Sequence, residues 1–390
     1  MESWALCSRN THGYFENGAL DPGSRVVRVL HLDLGLTLRG GQRQVLYLAR
    51  RQLAAGRVLP LAACPAGSPL AAALVAAGVE VLPLASGRDW DPRNLLRLRR
   101  FLAGRRITLL HTHDARAAAL GALLKLLGGD FRLVHSRRVS YAPGRGWGRL
   151  KYRLADLVLA VSAETADVLA GCGVPRERLA VAHSGIDPAR YSPRRAKGPD
   201  EPLVIAAVGA LTPQKGHEVF LRGLAVLRDM PGLPAWRALL VGEGPLRPEL
   251  ARLAASLGLG ERVELPGWRE SREVLPGADI LVVASVHGEG SSAAIKEAWA
   301  SGLPVVASNL PSNLELVEPG LSGATFSSGD PGALAWSLSS LLTHPPLREE
   351  LAAGGRARLE KFTDAAMADA VQAGYARAFP DLFAGDAQAG

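Results

Sequence analysis

Short apolar runs alternate with amphipathic stretches along this chain, and the alternation occurs twice. The runs 26–34, 58–63, 79–84, 107–111, 132–135 and 157–161 are bounded by turn residues and have strand length, while helical periodicity fills the gaps between them. The rhythm stops at 191–202, a segment rich in Pro, Arg and Lys that reads as a linker. It resumes with 203–208, 237–241, 263–265, 280–284 and 305–307, separated by the helical stretches 218–228, 248–256 and 292–300. Alternating strands and helices bury a parallel sheet between two helical layers, so the expected class is α/β with two doubly wound domains. Ligands of such sheets bind beyond the carboxyl ends of the strands. Two sheets facing each other place an active site in the cleft between them.

A length of 390 residues with 48% apolar composition supports two full cores and excludes a disordered chain. Cys7, Cys64 and Cys172 form no CxxC pair and leave one over, which argues against a disulfide framework or a thiolate metal site and makes a reducing cytoplasm the expected location. No run approaches the roughly 20 apolar residues of a bilayer span, and the polar start 1–24 lacks the apolar core of a signal peptide, so it is read as a flexible extension. The net charge of +8 hides a split, with the first 200 residues basic and the remainder acidic. Arginines concentrate at 93, 97, 99, 100, 105 and 106, and basic residues again at 132, 137, 138, 145, 149, 151 and 153. Such a face attracts phosphates; a solvated surface is the plainer reading. Nucleic acid is not expected, because no recognition-helix or RNA-binding signature is present.

Four loops directly after strands carry unusual residues. In 282–297 a buried strand ends at Ser285, a loop carries Glu289 and Gly290, and a helix is expected to start near Ser291 with Glu297 two turns in. Helix-start amides beside Gly290, Ser291 and Ser292 suit a diphosphate. At about 1.5 Å rise per residue the two carboxylates are expected on the order of 12 Å apart, fitting the two hydroxyl-rich ends of an extended ligand. A capped helix with an exposed glutamate explains the same residues. Lys215, framed by Pro213 and Gly216, would neutralise a departing phosphate, unless it is an ordinary surface lysine. Gly40 and Gly41, before a helix expected over 45–54, allow close ligand approach or simply make a tight turn. His111 and His113 end a buried strand. They are read as lying on opposite faces, with no metal pair and one ring toward the cleft, or as core histidines. Asp91, in Asp89-Trp90-Asp91 before Pro92, reads as a helix N-cap instead of a metal ligand.

These residues, in this order, resemble the retaining glycosyltransferases of family 4, whose GT-B fold has two Rossmann-like domains. The resemblance covers roughly 25–378 and rests on an E-x7-E motif at Glu289 and Glu297, supported by Gly40-Gly41, Lys215-Gly216, Val241-Gly242-Glu243-Gly244-Pro245 and Gly302-Leu303-Pro304. It implies that Glu289 contacts donor-sugar hydroxyls and that Glu297 binds the ribose. It further implies that Lys215 and the amides after Glu289 hold the diphosphate, with Gly242 and Gly244 in the donor site and His113 near the reacting sugar. It also divides the chain into an acceptor domain 25–190, the linker 191–202, a nucleotide-sugar domain 203–362, a helix in 363–380 that crosses back to the first domain, and a tail 381–390. Two positions depart from the family pattern. Ala210 stands where an arginine is usual, so Arg137 or Arg138 of the other domain is assigned the missing cation, and Ala182-His183-Ser184-Gly185 replaces a Pro-Asn-Gly phrase.

The implied activity is transfer of a sugar, with retained configuration, from a nucleotide-sugar donor such as a UDP-sugar. No cofactor or metal is called for. The basic first half points to a phosphorylated acceptor at the anionic inner leaflet, either a lipopolysaccharide core or a lipid-linked saccharide, reached by a peripheral, cytoplasmic protein. A small soluble acceptor, a nucleotide-sugar epimerase of the same architecture and a non-catalytic glycan-binding protein remain as alternatives.

Overall fold

The computed structural model describes residues 26–88, 90–198 and 200–383; the 1–24 extension, Cys7 and most of the 381–390 tail lie outside the described residues. Seven parallel strands form the first sheet: β1 (Val27–Leu32), β2 (Val58–Pro65), β3 (Glu80–Leu84), β4 (Leu109–Thr112), β5 (Arg132–Arg137), β6 (Leu157–Ala160) and β7 (Leu179–Val181). Six make the second: β8 (Leu203–Val208), β9 (Trp236–Val241), β10 (Val263–Gly267), β11 (Ile280–Val283), β12 (Val305–Ser308) and β13 (Ala324–Phe326). β7 and β13 were not expected from the sequence, because three residues are too few to establish a period.

The strand orders are β3-β2-β1-β4-β5-β6-β7 and β10-β9-β8-β11-β12-β13. In each sheet the winding reverses between the first strand and the fourth, β1 beside β4 and β8 beside β11. That reversal opens a crevice where the flanking connections part in opposite directions. Helices cover both faces, so the central strands read as unbroken apolar runs; all four residues of β6 and of β11 are buried. The second domain divides into clusters on the two faces of its sheet, one around Phe220, Leu224 and Leu240 and the other around Trp299, Ile295 and Val305.

The segment 191–202 lies along the second domain. Buried Asp279 accepts bonds from Arg194, Lys197 and the Val204 amide, and Arg194 N donates to the Ser301 carbonyl. The helix Asp364–Ala378 returns to the first domain, where Met367, Val371 and Tyr375 pack with Val29, Leu109 and Leu159. Its start is held by a bidentate Arg51–Asp364 pair at 2.7 and 2.8 Å.

The return passes through a backbone contact at Gly185, where a Cβ would lie 2.3 Å from the Thr363 carbonyl oxygen. The Ile186 and Asp364 amides bond the chain on either side. Gly185→Ala is therefore expected to force these strands apart and cost about 1–3 kcal/mol, read as a lower apparent Tm of the intact chain; an unchanged Tm would show that the contact can yield.

Candidate functional site

Several residues singled out by sequence follow the strands that border the two crevices, and Asp33, which was not singled out, joins them. Asp33 and the helix Gly40–Ala55 follow β1, His113 follows β4, Lys215 follows β8, and Ser285 and Glu289 follow β11. Where the domains meet, the Arg138 carbonyl occupies the space of a side chain at position 290. A Cβ on Gly290 would lie 2.3 Å from that oxygen, so only glycine fits. The Arg138 Cδ lies 3.8 Å from the place of a Cβ on Gly41. Arg138 thus touches both the first turn of the Gly40–Ala55 helix and the loop that carries Glu289.

Glu289 is largely buried and accepts bonds from Lys215 Nζ at 2.6 Å and Ser285 Oγ at 2.8 Å. Burial works against its charge, but the Lys215 ammonium and the two bonds outweigh burial and hold the carboxyl below its ordinary range. Lys215, Ser285, Ser292 and Val208 line one hollow between β8 and β11. The helix that follows runs Ala293–Ala300, so Ser291 precedes it and Ser292 is its N-cap, with no side-chain cap bond. Glu289 stands outside the helix, and the helical rise behind the expected 12 Å separation does not apply to it. Glu297 accepts a bond from Tyr191 of the linker at 2.9 Å.

Gly242 and Gly244 pack against the backbone of the Lys215 loop, where a Cβ would lie 1.8 Å from the Gly209 carbonyl oxygen and 2.4 Å from that of Leu211. The segment around them pairs with the Lys215 loop, with Leu211 N bonding the Glu243 carbonyl at 2.9 Å and Leu246 N the Leu211 carbonyl at 3.1 Å. They shape the support on which Lys215 is presented. Gly40 and Gly41 form the first turn of a helix that begins five residues before the expected start, and Gln42 reaches back to the Arg39 amide.

Of the two candidate arginines, only Arg138 faces the junction. The Arg137 guanidinium is spent inside its own domain, donating to the Val139 and Tyr141 carbonyls and the Tyr152 hydroxyl and lying over both tyrosine rings. Arg138 donates to His113 Nδ1 at 3.1 Å, while its Nε is buried with no partner. Burial pulls its pKa down to about 10, so it keeps its charge near neutral pH. Lys151, counted from sequence in the same basic face, is buried as well.

The expectation that His111 and His113 lie on opposite faces was wrong, while both are buried as core histidines would be. Residues two apart share one face of a strand, and the His111 and His113 rings lie side by side with centroids 4.0 Å apart. His31 joins them, and one nitrogen from each ring falls within 4.8 Å of the others, close enough to consider a metal. All six ring nitrogens already have protein partners: His31 with His113 and Gln52, His111 with Tyr375 and Ser136, and His113 with Arg138 and His31.

The comparisons with known proteins fit this geometry. Residues 38–190 match the family model described as Glycosyltransferase Family 4, and residues 202–344 the one described as Glycosyl transferases group 1. The Anabaena HepE protein, solved in complex with UDP, superposes with a TM-score of 0.75 at 20% identity, covering 89% of this chain and 99% of that one. The fold is GT-B. Both GT-B domains carry glycosyltransferase family segments, one in front of the linker and one behind it. Among curated relatives, a putative colanic acid biosynthesis glycosyltransferase of Escherichia coli (strain K12) is 39% identical over 48% of this chain and 48% of its own length. A D-inositol 3-phosphate glycosyltransferase of Mycolicibacterium vanbaalenii is 31% identical over 70% of this chain and 63% of its own length. The chain therefore spans between about half and two thirds of the length of these relatives.

Lys296, next to Glu297 in the E-x7-E segment of this GT-B chain, was missed from sequence. It is fully buried, and its Nζ donates to Ser184 O (2.6 Å), Ser184 Oγ (2.7 Å) and Ser291 Oγ (2.8 Å), tying the Glu289 loop to the segment that leaves the first domain. A lysine in the apolar stripe of Ala-Ala-Ile-Lys-Glu-Ala-Trp-Ala was the available signal. Burial pushes its pKa down to about 7 against the pull of Glu297 and Glu289. An unfolded lysine keeps its proton to about pH 10.4, so between pH 7 and 10 the unfolded chain binds the extra proton and stability rises with pH. The Tm of the wild type minus that of Lys296→Met is accordingly expected to climb from pH 7 to pH 9, and a flat difference would contradict the shift.

Proposed function

We propose that this protein is a retaining glycosyltransferase that moves a sugar from a nucleotide-sugar, a UDP-sugar in the first instance, to a cell-envelope glycan. The observation that carries the reading is the Lys215–Glu289 pair in the loop whose Gly290 packs on the Arg138 carbonyl where the two domains meet. Lys215 and Arg138 supply positive charge for a leaving diphosphate, and the amides ahead of the Ala293–Ala300 helix add donors that need no reorganisation during reaction. Arg138 takes the place of the cation absent at Ala210. Glu289, held ionised by Lys215, accepts hydroxyls of the donor sugar, and Glu297 those of the ribose. His113 lies on the opposite wall, beside the reacting carbon. The acceptor hydroxyl attacks from the leaving-group side, the departing phosphate oxygen takes its proton, and configuration is retained.

Glu289→Ala is expected to lower turnover of a UDP-sugar by about a hundredfold or more with an unchanged circular dichroism spectrum; near-normal turnover would remove Glu289 from the mechanism. A screen of UDP-, GDP- and ADP-sugars by thermal shift identifies the base, since a ligand at 100 times its Kd stabilises by about 2.7 kcal/mol.

The colanic acid relative supports an envelope glycan as acceptor. The name of the inositol phosphate relative supports a second reading, a small phosphorylated acceptor, and the basic first domain suits both. For a glycolipid acceptor the docking surface is the helix Pro92–Gly104, capped by Asp91, with Arg97, Arg99 and Arg100 exposed. Arg93 and Arg105 are partly neutralised by Asp91 and Glu80. No helix among the described residues is long and apolar enough to cross a membrane. Changing Arg97, Arg99 and Arg100 to glutamate is expected to abolish co-sedimentation with phosphatidylglycerol vesicles, and wild-type binding should weaken with salt. Equal sedimentation of the two forms would refute docking through this helix.

A further inference from the structure

A chain of three hydrogen bonds runs from the domain junction into the first domain. Arg138 Nη2 lies 3.1 Å from His113 Nδ1, His113 Nε2 lies 2.9 Å from His31 Nδ1, and His31 Nε2 lies 2.7 Å from Gln52 Oε1. His31, His113 and Gln52 are all buried. The direction of every proton in this chain follows from its outer end. A guanidinium has donors and no acceptor, so His113 Nδ1 accepts and the single hydrogen of its neutral ring sits on Nε2. His31 Nδ1 must then accept, and its hydrogen on Nε2 points at an oxygen, which Gln52 supplies. Reversing any one ring would set N–H against N–H somewhere along the line.

We propose that His31 and Gln52 are positioning residues of the donor site, acting through His113 to hold the Arg138 guanidinium beside the Gly40-Gly41 turn. The proposal rests on the reading that Arg138 meets the donor diphosphate. Burial supports it by keeping the rings uncharged: the His31 pKa is pushed down to about 4, and that of His113 lies well below its ordinary value through burial and the neighbouring His111, His31 and Arg138. A metal at the three rings would have to displace the bonds that set this order. Gln52 sits near the far end of the helix whose first turn is Gly40-Gly41, so one helix both presents the glycines to the junction and anchors the inner end of the chain.

Two measurements on the 390-residue chain test this. Histidine-selective 15N labelling with long-range 1H–15N spectra separates the two ring tautomers. His31 and His113 are both expected as neutral Nε2–H rings from pH 6 to pH 8, and an Nδ1–H ring or an imidazolium at pH 7 in either position overturns the chain. UDP affinity by calorimetry provides the functional arm. Arg138→Ala, His31→Phe and Gln52→Leu are each expected to weaken UDP binding by about tenfold. Adding His31→Phe to Arg138→Ala should cause no further loss, because the two act in series. Gln52→Glu, which keeps an acceptor oxygen, should restore affinity and serves where His31→Phe does not fold. Additive losses, or no loss from His31→Phe and Gln52→Leu, overturn the positioning role. A wild type that does not bind UDP would defeat the nucleotide-sugar reading instead, and the tautomers would still decide whether the chain orders Arg138.

Discussion

The two domains are registered by a backbone contact: the Arg138 carbonyl fills the space that any side chain at position 290 would need. A carbonyl against a glycine cannot slide by the width of a side chain, so it fixes the loop after β11 on the loop after β5. Other contacts across the boundary follow from that register. Arg43 donates twice to Glu270, and Glu315 accepts the first amides of the helix Ala163–Gly171. Lys296 completes the set from the other side by gripping Ser184 and Ser291 together.

This junction gathers ionisable groups in low-dielectric surroundings, where each charge requires a partner. Lys215 and Glu289 satisfy each other, and Lys296 meets three oxygen acceptors. Arg138 is different, because its hydrogen bonds leave a buried Nε unmatched. Asp33, on the same wall, has its pKa raised by burial and by Asp114, against the Gly35 amide, Gln42 and Arg138. The Arg138 side is cationic and the Glu289 side accepts hydrogen bonds, which the proposed reading of a diphosphate bound to a sugar requires.

Much of this was legible in the chain. The strand–helix rhythm, the break near 191–202 and the positions of Glu289, Lys215, Gly41 and His113 after strands are local patterns, and local patterns survive folding when the sheet is buried on both faces. The errors have equally physical origins. Arg137 and Arg138 are adjacent, and no local signal tells which guanidinium turns inward to Tyr152. The His111–His113 reading failed through a misapplied strand period. His31, Gln52 and Lys296 carry no motif and gain significance only through partners 82, 21 and 112 residues away.

The sequence by itself determined the class of fold, the two-domain division and the loops in which chemistry can occur, because periodicity and turn residues act over a few positions. Only the tertiary structure decided which arginine reaches the junction, which groups the buried histidine rings meet and that a lysine is buried between the domains. Those outcomes depend on burial and on contacts between elements far apart in the chain, which no window of sequence contains.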